Sequence, residues 1–64
     1  MKPYMGNDVE YRGYVIKNNK KNGYLEAYDK KGNYLFRQTN FNHGSLTYIK
    51  RKIDEMIERY GLTT

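Results

Sequence analysis

The sequence predicts an α+β fold: a three-stranded antiparallel sheet, in the order β-β-β-α, with one C-terminal amphipathic helix packed on one face. Three short runs rich in aromatic and β-branched residues are separated by Gly- and Asn-rich turns, which is typical of consecutive antiparallel strands. Apolar residues then recur at steps of three and four from Leu46 to Tyr60, which is typical of a helix with one apolar stripe. The chain has 64 residues, enough for one domain.

The chain is expected to divide into three segments. Residues 1–9 contain Pro3, Gly6 and two further turn-forming residues, which disfavour regular structure, so we expect a flexible N-terminal arm. Residues 10–61 form the single β-β-β-α domain, and residues 62–64 form a C-terminal tail.

The first strand is predicted over "EYRGYVIK", from Glu10 to Lys17. Strict alternation divides its side chains between two faces, with Tyr11, Gly13 and Val15 on one and Arg12, Tyr14 and Ile16 on the other. The segment "NNKKNG" follows and is a dense turn signal that ends in an Asn-Gly pair.

The second strand, "YLEAY", has a phase set by Glu26, whose carboxylate prefers water. Leu25 and Ala27 are therefore predicted to face the helix, and Tyr24 and Tyr28 to face outward. The third strand, "YLFRQT", follows the turn "DKKGN". Placing Arg37 in solvent predicts that Tyr34 and Phe36 lie inside and Leu35 lies outside.

The helix is predicted to begin after "TNFNHGS", where Asn42 or Ser45 can cap it by accepting a backbone N–H bond. Gly61 is a natural stop. The apolar stripe consists of Leu46, Ile49, Ile53, Met56, Ile57 and Tyr60. On the opposite side, charges four residues apart predict the pairs Lys50–Asp54, Arg51–Glu55 and Glu55–Arg59.

Positive charge is concentrated on the predicted sheet. The chain carries a formal net charge of +5, and the segment from Tyr11 to Asn40 accounts for it with seven basic and two acidic side chains. A one-sided basic surface attracts nucleic acid or an acidic protein surface. The alternative is that the charge is incidental to a structural domain.

Other features of the sequence bear on location and catalysis. There are no cysteines, no signal peptide and no apolar run long enough to span a membrane, so we expect a cytoplasmic protein of a bacterial or phage-infected cell. His43 is the only histidine and lies in a polar loop, and Asp54, Glu55 and Glu58 are expected to be solvated helix residues. We therefore predict no enzymatic activity, no cofactor and no metal.

The interleaving of tyrosines with basic residues is the main functional signal. Tyrosine offers a flat face and a hydroxyl group, and basic side chains neutralise phosphates. The candidate nucleic-acid or partner-binding residues are Arg12, Lys17, Lys20, Lys21, Tyr24, Glu26, Tyr28, Lys30, Lys31 and Arg37. Tyrosine and arginine also dominate protein–protein hot spots, so an inhibitor or adaptor is the alternative.

The segment "YRGYVIK…NGYLEAYDKKGNYLFRQT", with the helix that follows, resembles the arm-type DNA-binding domain of tyrosine-recombinase integrases and the related AP2-type domain. In that family a three-stranded sheet reads the major groove and one helix packs behind it. The resemblance covers residues 10–60 and implies groove-facing residues among Arg12, Tyr24, Glu26, Tyr28 and Arg37. In contrast to those domains, most lysines here lie in turns.

The chain is also similar in size and style to small phage and mobile-element proteins, including anti-CRISPR proteins. This second likeness implies an inhibitor that binds an acidic host protein or a nucleoprotein effector complex. The resulting prediction is a small basic module that binds nucleic acid, duplex DNA first, with the anti-defence inhibitor as the alternative. A free edge of the third strand could also pair with a second copy in a homodimer.

Overall fold

A computed structural model describes residues 2–61, and the predicted tail at 62–64 lies outside them. Within that range the elements are β1 (Val9–Tyr11), β2 (Tyr14–Asn19), β3 (Tyr24–Tyr28), β4 (Tyr34–Thr39) and α1 (His43–Tyr60). The strands form one antiparallel sheet in the order β1-β2-β3-β4. The α+β class and the C-terminal helix are confirmed, but the predicted number of strands is wrong: the sheet has four, not three.

The extra strand arises because the segment predicted as one strand contains a tight turn. Arg12 and Gly13 have φ values of 54° and 86°, and positive φ at both central residues is what a two-residue type I′ hairpin requires. The chain therefore reverses direction at this turn, and Tyr11 lies directly opposite Tyr14 in the β1–β2 pair. The predicted separation of these two tyrosines onto opposite faces is wrong, because a turn rather than a straight strand joins them.

The core lies between the sheet and α1. Its buried side chains are Tyr14, Ile16, Leu25, Ala27, Ile49 and Ile53. The prediction that Leu25 and Ala27 face the helix is confirmed, since neither has any exposed surface. The position of Glu26 between them was enough to set the phase of β3, because a strand alternates its side chains between its two faces.

The face assignment of the third predicted strand is wrong for Tyr34 and Leu35. Tyr34 is 52% exposed, whereas Leu35 packs against the core beside Phe36. The register between β3 and β4 shifts between Ala27 and Tyr28, which is a β-bulge. A bulge inserts one extra residue on one strand. The alternation of faces that holds at Arg37 and Phe36 therefore does not continue to Leu35 and Tyr34.

The helix is capped as the sequence predicted. The Asn42 side chain accepts a bond from the Gly44 N–H at 2.7 Å, Ser45 completes a capping box, and Gly61 ends the helix with φ of 64°. The apolar stripe is buried at Ile49 and Ile53, but its last predicted member, Tyr60, is 66% exposed.

The ion pairs differ from the predicted ladder along the helix. Between residues 2 and 61 they are Arg12–Asp54 at 2.7 Å and Lys52–Glu55 at 4.0 Å. The pairs predicted at a spacing of four are absent from that range, because Asp54 turns toward β1 and Glu55 pairs three residues back.

The segment predicted as a flexible arm makes hydrogen bonds to the sheet. The Tyr4 backbone N–H donates to Asn40 Oδ1 and its carbonyl accepts from Asn40 Nδ2, both at 2.9 Å. Asn18 Nδ2 donates to the carbonyls of Tyr4 and Gly6 at 3.0 Å. Among the residues described, no helix is long and apolar enough to cross a membrane.

Candidate functional site

The sheet face opposite α1 carries five of the ten candidate residues that the sequence singled out, namely Lys17, Tyr24, Glu26, Tyr28 and Arg37. Residues directly opposite each other on neighbouring strands share a face. Three cross-strand rows therefore form this surface, which we call the outer face: Glu10–Val15–Tyr28–Tyr34, Lys17–Glu26–Arg37 and Asn19–Tyr24–Thr39. Because the one helix covers the other side of the sheet, the outer face remains open to a partner.

The central row places Glu26 between a lysine and an arginine, yet neither forms an ion pair with it. Lys17 Nζ lies 4.7 Å from the centre of the Tyr28 ring, and Arg37 Cζ lies 4.2 Å from the centre of the Tyr24 ring. Both distances are within the range of cation–π attraction. Each cation is thus held over an aromatic ring, while its charge remains available at the surface.

Tyr28 connects the central row to the next one. Its hydroxyl donates to Glu26 Oε1 at 3.4 Å, and its ring packs edge-to-face on Tyr34 with centroids 5.8 Å apart. Burial, followed by the negative charge of Glu26, raises the pKa of Tyr28. The hydroxyl therefore stays protonated at neutral pH and can donate a hydrogen bond.

Tyr34 belongs to the outer face, and sequence reasoning missed it. The available signal was Gly32 in the turn before β4, because a connection of three to five residues that contains Gly is typical of a hairpin with a bulge. Gly32 has φ of 88° here. Allowing for the bulge would have placed Tyr34 beside Tyr28.

The turn lysines lie beyond the two ends of the outer face. Lys20 and Lys21 lie in the β2–β3 turn, Lys30 and Lys31 lie in the β3–β4 turn, and all four are exposed. Since β3 joins the two turns, they flank opposite ends of that strand. Its five residues span about 17 Å at 3.4 Å per residue.

Asp29 fixes the shape of the β3–β4 turn. Its Oδ1 accepts from the backbone N–H groups of Lys31 and Asn33, both at 2.9 Å. The Asn33 bond is the largest cause of a lowered Asp29 pKa. The turn therefore holds its two lysines on an ordered backbone.

Arg12 is the candidate residue whose side chain the structure places against the helix. Its Nη1 lies 2.7 Å from Asp54 Oδ1, and the Tyr11 hydroxyl donates to both Asp54 oxygens at 2.9 Å. The hydrogen bond from Arg12, followed by that from Tyr11, holds the pKa of Asp54 below its ordinary value. This arrangement ties β1 to the helix, so the Arg12 guanidinium is held by Asp54.

Comparisons with protein-family models, curated proteins and solved structures found no match. The resemblance to integrase arm-type domains therefore stays a prediction based on the order of elements and on the β3–β4 hairpin, and here the sheet has a fourth strand. No group of three or more His, Cys, Asp or Glu side chains that could hold a metal ion occurs within residues 2–61. The absence of catalysis stays a prediction.

Proposed function

We propose that this protein binds nucleic acid, specifically duplex DNA, through the outer face of its sheet. The observation that carries the proposal is the placement of Lys17 and Arg37 over tyrosine rings, free of ion pairs with the neighbouring Glu26. Cations that are ordered but not neutralised suit contact with phosphates and base edges. The turn lysines extend this positive charge beyond both ends of β3.

The dimensions of the surface favour the major groove. The strands that carry the tyrosines and cations of the outer face, β2 to β4, are separated by two spacings of about 4.8 Å, so this part of the surface is about 10 Å wide. The major groove of B-form DNA is about 12 Å wide and accepts a β-ribbon. The proposal agrees with the resemblance to arm-type domains, in which a sheet reads that groove.

The arrangement of the tyrosines favours a duplex over a single strand. Single-stranded ligands are bound largely by stacking of their bases on open aromatic rings. Here cations lie over the rings of Tyr24 and Tyr28, and Tyr34 packs edge-to-face against Tyr28. The outer face therefore presents polar groups to a ligand rather than open aromatic rings on which bases could stack. The proposal includes a location in the cytoplasm of a bacterial or phage-infected cell, where duplex DNA is accessible.

The salt dependence of binding to random-sequence duplex DNA tests the proposal. Lys17 and the four turn lysines give five phosphate contacts, so the log–log slope of affinity against salt is expected near −4.5, at about −0.9 per contact. Lys30→Ala with Lys31→Ala should reduce the magnitude of this slope by about 2.

The matched control is Arg51→Ala with Arg59→Ala, which removes the same charge from exposed helix positions. We expect it to leave the slope unchanged, because the helix covers the opposite side of the sheet. Failure to bind duplex DNA at low salt would overturn the proposal. So would a slope that the helix variant changes and the turn variant does not. The first result would favour the alternative assignment of an inhibitor that binds an acidic protein, and the second would place the DNA contact on the helix.

A further inference from the structure

Glu26 is an unexpected residue at the centre of a basic surface. It is half-buried, and its row partners on the two neighbouring strands are Lys17 and Arg37. A carboxylate at this position repels phosphates, so it weakens a surface whose only task is to hold the DNA backbone. In a DNA-binding face, a central carboxylate is suited to a base edge that donates hydrogen bonds.

The hydrogen-bonding capacity of the Glu26 carboxylate is largely unfilled. An ionised carboxylate can accept about four hydrogen bonds. Within the described residues, Glu26 accepts one long bond, from the Tyr28 hydroxyl at 3.4 Å, and forms no ion pair. In the major groove, the donors available to it are the amino groups of cytosine N4 and adenine N6.

Arg37 lies directly opposite Glu26 and has complementary chemistry. Its guanidinium lies 4.2 Å from the Tyr24 ring centre, so stacking restricts its orientation. Guanidinium presents several N–H donors in a planar fork, and the matching acceptor pair in the major groove is O6 and N7 of guanine.

A G·C base pair offers both partners side by side: the guanine acceptors and the cytosine amino donor. Directly opposed residues on antiparallel strands have Cβ atoms about 5 Å apart, which lets two side chains reach one base pair. We infer that Glu26 and Arg37 together select a G·C base pair in the duplex, with Arg37 bound to guanine and Glu26 to cytosine N4. This inference rests on the proposed function.

Selection of bound sequences from a pool of duplexes with randomised positions tests the inference. The unmodified protein should prefer G·C over A·T at one position by about 5- to 150-fold. Glu26→Gln should reduce the preference for G·C over A·T at that position, because glutamine binds adenine N6 and N7. Arg37→Lys should weaken the preference for guanine at the same position, since lysine can bind guanine but lacks the planar fork.

Glu58→Gln is the matched control, because it removes one negative charge from an exposed helix position. It should leave the selected sequence unchanged. A thermal unfolding measurement on every variant checks that it is folded before its selected duplex sequences are compared.

The two possible failures can be told apart. If the unmodified protein binds no duplex DNA, the proposed function fails and the inference fails with it. If it binds duplex DNA with no preference at any position, the inference alone is overturned. The same holds if Glu26→Gln and Arg37→Lys both select the unmodified sequence.

Discussion

Arg12 and Asp54 form an ion pair of 2.7 Å that joins the β1–β2 turn to the helix across 42 residues of sequence. Arg12 has φ of 54°, in the left-handed region that non-glycine residues rarely adopt. The Tyr11 hydroxyl binds the same carboxylate, so two consecutive residues hold the turn against α1. This contact secures the short β1 strand that the sequence did not reveal.

The first prediction concerns acid stability. Because the folded-state pKa of Asp54 lies below its ordinary value of 3.8, its ionised form stabilises the fold above that value. This contribution is lost as the pH falls through the lowered pKa. Asp54→Asn should lower the urea midpoint at about pH 7 and should show a smaller further loss on acidification than the unmodified protein.

Asp29 serves as a second acid-sensitive site, since its pKa is also lowered. Asp54→Asn should therefore retain part of the acid dependence, and the double substitution with Asp29→Asn should retain less. An Asp54→Asn variant with an unchanged acid dependence would contradict this account.

The second prediction separates the buried part of the helix stripe from its exposed end. Ile53→Ala should lower the free energy of unfolding by about 2–5 kcal/mol, because Ile53 is fully buried and the substitution leaves a cavity. For a domain of this size that is a large share of the total stability. Tyr60→Ala should change it by less than about 0.5 kcal/mol, because Tyr60 is 66% exposed. Urea denaturation measures the free energy of unfolding of both variants. Equal losses in the two variants would contradict the burial of Ile53 and the exposure of Tyr60.

The third prediction concerns the tyrosines of the outer face. The double substitution of Tyr24 and Tyr28 by Ala should weaken DNA binding while the fold survives, because each ring positions a cation. Each cation–π contact contributes about 0.5–1 kcal/mol, so the expected loss in affinity is roughly 5- to 30-fold. Tyr14→Ala is the contrasting change, since Tyr14 is 5% exposed and its loss should unfold the domain. If the double variant of Tyr24 and Tyr28 unfolds instead, those two rings belong to the core.

The fourth prediction concerns the N-terminal segment. The Tyr4 amide should exchange its hydrogen slowly with solvent because it donates to Asn40 Oδ1. Asn40→Ala removes both bonds to the Tyr4 backbone and should accelerate that exchange while the amides of β3 stay protected. Hydrogen exchange followed by NMR measures both groups of amides. Fast exchange of the Tyr4 amide in the unmodified protein would support a flexible arm.

The parts of the fold that could be predicted were those with strong local signals. Glu26 between two apolar residues set the phase of β3, and Asn42 and Gly61 marked the ends of the helix. These signals act over a few residues, so they can be read without the rest of the structure. The outer positions of Tyr24 and Tyr28 followed from the same reasoning.

The errors occurred where backbone conformation departed from the usual preference of its residues. An Arg-Gly pair is a weak signal for a hairpin turn that Asn-Gly or Asp-Gly forms more readily, so β1 and β2 were merged. The bulge moved Tyr34 outward and Leu35 inward, although strict alternation required the reverse. The Arg12–Asp54 pair depends on how the helix crosses the sheet, which no local pattern shows.

The strictly sequential order of the strands has a consequence for how the chain folds. Every strand pairs with its neighbour in sequence, so most of the sheet forms by closing short loops, and a topology of this kind folds rapidly. The bonds Arg12–Asp54 and Tyr4–Asn40 close loops of 42 and 36 residues and are expected to form late. Contacts that form after the transition state govern the unfolding rate. These two ties would thus determine how long a folded molecule lasts and have little effect on how quickly it forms.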